Sequence, residues 1–229
     1  MSFREGAVEF GRFRTWYRRI GNADGGAPLL VLHGGPGFPH DYLTTLDRLA
    51  DQREVIFYDQ LGCGRSTTQH PPDEWSISLF VEELANLRFQ LDLECVHLFG
   101  HSWGGWLALE YALRGCRVDP LPAQLTKSWM ASASTVYEAL WGPSEMVANG
   151  PLAAWDVSTE LRRLGLPILM TCGAHDEVRP PLLESMLESL PDADLKVYPN
   201  SAHMAHLEET ESYLSDLSRF LRLAEERIT

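Results

Sequence analysis

Short, unbroken apolar runs alternate with stretches of helical spacing along most of this 229-residue chain. Pro28-Leu29-Leu30-Val31-Leu32, Glu54-Val55-Ile56-Phe57-Tyr58, Cys95–Gly100, Pro167–Gly173 and Asp194–Tyr198 have the length of strands. Their near-continuous apolar character, in place of strict alternation, predicts strands buried on both faces. Between them, Asp41–Leu49, the face formed by Phe80, Leu84, Leu87 and Leu91, and Trp103–Leu113 predict helices, as does Pro181–Leu190. A closing helix turns Tyr213, Leu214, Leu217, Phe220 and Leu221 inward. Ala7–Ile20 alternates loosely around Gly11 and predicts a hairpin at a sheet edge. The alternation of strand and helix implies an α/β fold with a mostly parallel sheet and helices on both faces.

The rhythm fails once. After Leu113 another apolar strand is due, but Gly115-Cys116-Arg117-Val118-Asp119-Pro120-Leu121-Pro122 carries two prolines and charges, a poor central strand. Residues 123–155 predict short helices instead, broken at Gly142-Pro143 and Gly150-Pro151. Trp129, Trp141 and Trp155 lie here and are expected to pack a small helical lid onto the body. With no strand to fill the gap, Pro167–Gly173 either pairs directly with Cys95–Gly100 or leaves a breach covered by Gly115–Met130.

Composition narrows the partners. A net charge of −13 argues against nucleic acid or an anionic membrane surface, which select clustered Lys and Arg. No apolar run approaches a membrane span. Cys63, Cys95, Cys116 and Cys172 show no metal-type spacing, and Met1–Glu5 carries no signal-peptide pattern. Reduced thiols in a cytoplasmic protein, with neither metal nor cofactor, are the expectation.

The chemistry gathers at the ends of the predicted strands. Gly100-His101-Ser102-Trp103-Gly104 is Gly-x-Ser-x-Gly between a strand and a helix. That context places a serine hydroxyl on a tight, strained turn beside a helix N-terminus. His33-Gly34-Gly35-Pro36-Gly37 follows the first buried strand. In a serine hydrolase such a loop supplies one oxyanion donor, here Gly35, and the residue after the nucleophile, Trp103, supplies the other. Asp59–Ser66 is Gly-rich but lacks a phosphate-loop ending, so it predicts a structural turn at the rim of the site. Asp176 lies just past one strand, and His203 in the loop after the last. Ser102, Asp176 and His203 thus occur in the order nucleophile, acid, histidine, with His206 as a rival base.

With these residues in view, the chain resembles the proline iminopeptidases, serine peptidases of the α/β-hydrolase fold. The likeness runs through His33–Gly37 with His40-Asp41-Tyr42-Leu43, through Asp59–Ser66, and through Gly100–Gly105. It continues in Trp141-Gly142-Pro143-Ser144-Glu145, Trp155-Asp156-Val157, Gly173–Val178 and Ser201–Met204. It implies a serine aminopeptidase that releases an N-terminal residue, proline favoured, from a small peptide or aminoacyl substrate through an acyl-enzyme. It further implies that Glu145 and Glu177 hold the substrate's α-ammonium group, where opposed carboxylates offset the desolvation of a buried cation. Against the family, the segment from Ser102 to Asp176 is short. Residues 1–114 and 157–229 then form the two parts of the hydrolase core, and 115–156 a reduced helical cap. Two other readings stay open: a broader esterase or amidase on the same triad, and an inactive deletion product.

Overall fold

A computed structural model describes residues 3–22, 25–114, 133–143 and 148–228. The fold divides into two compact units, residues 1–44 with 50–155, and 45–49 with 156–229.

The first unit is built on a five-stranded sheet in the order β1-β2-β4-β3-β5. β1 (Phe3–Phe10) and β2 (Phe13–Ile20) form the expected edge hairpin, which begins a few residues earlier than its alternation suggests. β2 joins β4 (Val55–Tyr58) antiparallel, and β3 (Leu29–Leu32) lies parallel between β4 and β5 (His97–Gly100). Every residue of β3 and β4 is fully buried. Since successive side chains point to opposite faces, both faces of these strands are shut off from water, and this is why they carry no polar alternation. Leu30, Leu32, Ile56 and Tyr58 share one core with Phe80, Leu84 and Leu87 of α1 (Ile77–Gln90) and with Trp103, Leu107 and Tyr111 of α2 (Trp103–Leu113). Ser76 caps α1 by accepting the Leu79 N–H at 3.3 Å. The helix expected over Asp41–Leu49 is present as a 3₁₀ segment, His40–Asp51.

α3 (Ala133–Leu140) adds Val136 and Leu140 to the same core, with Leu152 beyond it. Trp155 stacks on Trp106 of α2 at 4.8 Å between centroids, and Trp141 lies tilted against Trp106 at 6.1 Å. The Trp155 indole N–H donates to Glu110 Oε1 at 2.8 Å. Two of the three lid tryptophans therefore do pack onto the body; Trp129 falls outside the described residues.

In the second unit β6 (Ile168–Gly173) pairs parallel with β7 (Ala193–Tyr198), joined through α4 (Pro180–Leu187). α5 (Ala205–Glu208) and α6 (Thr210–Ile228) close the chain, with Tyr213, Leu214, Leu217, Leu221 and Ala224 buried. Phe220, expected among them, is only half-buried. Among the described residues β5 pairs with β3, and β6 with β7. The stretch expected to cover a breach, Gly115–Met130, lies outside the described residues. Among those described, no helix is long and apolar enough to cross a membrane.

Candidate active site

Ser102 stands between β5 and α2 with φ 53° and ψ −122°. A non-glycine residue rarely adopts this conformation, and it holds here because the flanks leave no alternative. A Cβ on Gly100 would strike the Gly104 backbone, and one on Gly104 would strike the carbonyls of Leu32 and His33. Both glycines are thus required for α2 to start so close to the sheet. The Ser102 side chain caps nothing in α2, which leaves its hydroxyl available for chemistry. The Trp103 amide lies in the first turn of α2, where N–H groups lack intrahelical partners.

The loop after β3 is held from two sides. Gln60, fully buried, donates its backbone N–H to His33 Nε2 at 2.9 Å and its side-chain amide to the His33 carbonyl at 2.8 Å. Its Oε1 accepts the Trp103 indole N–H at 2.8 Å. Because His33 Nε2 accepts, the ring is neutral with its proton on Nδ1, 3.0 Å from the Gly34 carbonyl. Burial pushes the His33 pKa down to about 4, which keeps this tautomer at neutral pH. On the other side, the Gly34 N–H donates to the Tyr42 hydroxyl at 2.7 Å, and that hydroxyl pairs with His101 Nδ1 at 3.0 Å. With the Gly34 amide engaged, the next donor along the loop is Gly35, at φ 116°. Most of the Asp59–Ser66 turn is buried, with Gly64 and Arg65 exposed. Asp59, Gln60, Leu61 and Cys63 are buried, and the Asp59 carboxylate accepts the N–H groups of His40 and Arg65 and the His40 ring. Burial works to raise the Asp59 carboxyl, but these hydrogen bonds outweigh it and hold it below the ordinary range.

In the second unit the parallel register sets Gly173 opposite Tyr198, so the turns after β6 and β7 emerge at one level. They are stitched together: Ala174 N–H donates to Tyr198 O, and His175 N–H to Ser201 O. Asp176 Oδ1 accepts the Val178 N–H at 3.0 Å and the His203 Nδ1–H at 2.9 Å. This fixes the His203 tautomer and leaves Nε2 as its basic atom. The histidine loop is clamped by two carboxylates. Glu209 accepts the Asn200 N–H at 2.9 Å and the Ser201 hydroxyl at 2.7 Å, and Glu208 accepts the Ala202 N–H at 2.8 Å. The Ser201 hydrogen bond, with that from Asn200, lowers the Glu209 pKa. A depressed carboxyl pKa contributes stability that is complete above the ordinary glutamate value of 4.5 and lost as pH falls through the folded value. Glu209→Gln should therefore lower the melting temperature near pH 7 and flatten its acid limb. A variant whose melting curve tracks the parent's at every pH from 3 to 7 would show that the clamp contributes nothing.

The family model for the alpha/beta hydrolase fold matches residues 27–124. A proline iminopeptidase of Levilactobacillus brevis is 30% identical over 295 aligned residues, covering 99% of this chain and 99% of that protein. The chain belongs to the proline iminopeptidase family. A second such protein, from Heyndrickxia coagulans, is 31% identical over 284 residues, covering 96% of this chain and 99% of its own. The crystal structure of a proline iminopeptidase from Mycobacterium smegmatis superposes with a TM-score of 0.85 at 28% identity, covering 99% of this chain and all of that one. Alignments this much longer than the 229-residue chain mean that these family members carry residues it lacks, as the interrupted strand rhythm suggests.

Membership makes the chain a serine hydrolase of the α/β-hydrolase fold. Of the residues singled out by sequence, Asp176 and His203 are brought together directly, and Ser102, Trp103 and Gly35 fall on the turns expected of them. Glu177 is exposed, with Oε1 3.8 Å from His203 Nδ1. Glu145 lies outside the described residues. His206 is buried beside Tyr213 in an edge-on ring contact, whereas His203 is partly open and faces Asp176. Sequence reasoning missed Gln60, Tyr42, Glu208 and Glu209, whose partners lie on other turns. Among the described residues no group of three or more His, Cys, Asp or Glu side chains is placed to hold a metal ion.

Proposed function

We propose that the chain is a serine aminopeptidase that releases an N-terminal residue, proline favoured, from small peptides. The observation that carries this reading is the strained Ser102 turn at the start of α2, in a chain of the proline iminopeptidase family. The Ser102 hydroxyl attacks the carbonyl of the first residue while His203 Nε2 takes its proton, and Asp176 holds the imidazole and stabilises the imidazolium. The amides of Gly35 and Trp103 receive the oxyanion. The imidazolium then protonates the departing amine. In the second half His203 takes a proton from water as it attacks the acyl-enzyme and returns it to the departing Ser102 oxygen, releasing the N-terminal residue as the free acid. In this reading Glu145 and Glu177 bind the free α-ammonium, residues 115–156 form a reduced cap, and the enzyme acts in the cytoplasm on neither nucleic acid nor membrane.

Charge-assisted hydrogen bonds contribute roughly 1.5–3 kcal/mol each, about ten- to a hundredfold in kcat/KM. Prolyl arylamide should therefore be cleaved far better than its N-acetyl form. Glu177→Gln and Glu145→Gln should each depress kcat/KM for the free-amine substrate by about that factor while sparing an aryl acetate. Equal cleavage of blocked and free amides by the parent would refute the aminopeptidase reading and leave a broad esterase.

A further inference from the structure

Two turns far apart in the chain carry the proposed oxyanion donors, and one buried side chain reaches both. Gln60 follows Asp59 beyond β4 and is fully enclosed. Its amide N–H holds the His33 carbonyl, two residues before Gly35, and its amide oxygen holds the indole N–H of Trp103. The orientation of that amide is set by its partners, since a carbonyl needs a donor and an indole N–H an acceptor. The Gln60 backbone N–H on His33 Nε2 adds a third point of attachment. A buried polar network with every member satisfied is rigid, and donors aimed at a developing charge act only when held to within about half an ångström.

The structure assigns to Gln60 the role of a positioning residue that sets the spacing between the Gly35 and Trp103 amides. Tyr42 braces the same two turns from the other side, through the Gly34 N–H and His101 Nδ1. Gln60 does not touch substrate; it acts through His33 and Trp103. Ordinary core packing by Gln60 would stabilise the fold without favouring the transition state over the bound substrate. Loss of a brace between oxyanion donors lowers kcat and leaves KM in place, because the donors meet full charge only in the transition state. The inference rests on the serine-hydrolase reading, though not on the choice of peptide as substrate.

The test is a double-mutant cycle on Gln60→Met, which keeps length and loses both side-chain hydrogen bonds, and Trp103→Phe, which loses the indole N–H along with part of the ring's packing against Phe80. Each variant is assayed on prolyl arylamide and on an aryl acetate, with its melting temperature recorded. Gln60→Met should reduce kcat by roughly ten- to a hundredfold on both substrates, since small misplacements of catalytic groups reach that scale. KM should stay within about twofold. Trp103→Phe should show a similar split, and the double variant should be no slower than Gln60→Met alone, because both remove one shared bond. Tyr42→Phe supplies an independent variant should Gln60→Met fail to fold, and the same kcat-only loss is expected of it. An unchanged kcat, a loss carried by KM, or additive losses across the cycle would overturn the inference. A parent active only on the aryl acetate would sink the peptidase reading while leaving this test intact. A parent that neither turns over nor takes a fluorophosphonate label on Ser102 would remove both.

Discussion

Ser102→Ala is expected to abolish turnover, and Asp176→Asn to leave about one part in ten thousand of kcat, a loss near 5.5 kcal/mol. The two differ because they remove different things. Without Ser102 there is no nucleophile to form an acyl-enzyme. With asparagine at position 176, the side-chain amide can present an N–H to His203 Nδ1, which then has to accept. The proton moves to Nε2, and the ring can no longer take one from the serine. The geometry motivates this, since the Asp176 carboxylate receives the His203 Nδ1–H at 2.9 Å and is otherwise held by the Val178 amide. His203→Ala should be comparably damaging, whereas His206→Ala should chiefly affect stability, because His206 is buried against Tyr213. Kinetics of the four variants on an aryl acetate and on prolyl arylamide decide the matter. A greater loss from His206→Ala than from His203→Ala would show that the base has been wrongly chosen.

The parts of this site visible in the sequence are those whose physical reasons are local. A strand, a glycine two residues before a serine and a glycine two after are contiguous, and the close approach of Gly100 and Gly104 to backbone explains why nothing larger fits. The acid and the histidine each follow a strand, so topology alone brings them to one edge. Gln60 and Tyr42 were not legible, because a residue's identity says little about a hydrogen bond formed across the fold. Glu208 and Glu209 hold backbone and hydroxyl groups only six to nine positions away, but no periodic pattern marks that pairing. Gln60 lies 43 positions from Trp103 and Tyr42 lies 59 from His101. The Asp59–Ser66 turn showed its glycines, which point to bending, and concealed its buried carboxylate and amide, which do the bracing. Pairing beyond β5 was illegible for another reason. Hydrophobic pattern predicts that a strand exists, but its neighbour is set by whichever segments compete for its edge.

Glu83→Gln is expected to stabilise the protein above pH 7 by about 3 kcal/mol, and to have little effect near pH 4.5. Glu83 lies on α1, fully buried, where Oε1 accepts the Thr15 hydroxyl at 2.5 Å and Oε2 the Leu61 N–H at 3.0 Å. Burial raises its pKa from 4.5 to about 7; the Leu61 and Thr15 hydrogen bonds offset part of this, and nearby Asp59 adds to it. Tyr58 and Cys63 share the surroundings, and no cation pairs with Glu83 among the described residues. Between pH 4.5 and about 7 the unfolded chain has released this proton while the folded chain still holds it. The folded state then binds more protons, so this group's contribution to stability falls as pH rises through that window and levels off above it. Glutamine removes the titration and keeps the shape: its oxygen can accept the Leu61 N–H, and its amide can donate to the Thr15 hydroxyl. Urea unfolding of parent and variant at half-unit steps from pH 4.5 to 8 would trace the difference directly. A difference that stays flat across the window would mean that Glu83 does not titrate there. A difference that grows toward low pH would mean that its carboxylate is stabilised by the fold, in which case the Leu61 and Thr15 hydrogen bonds outweigh burial.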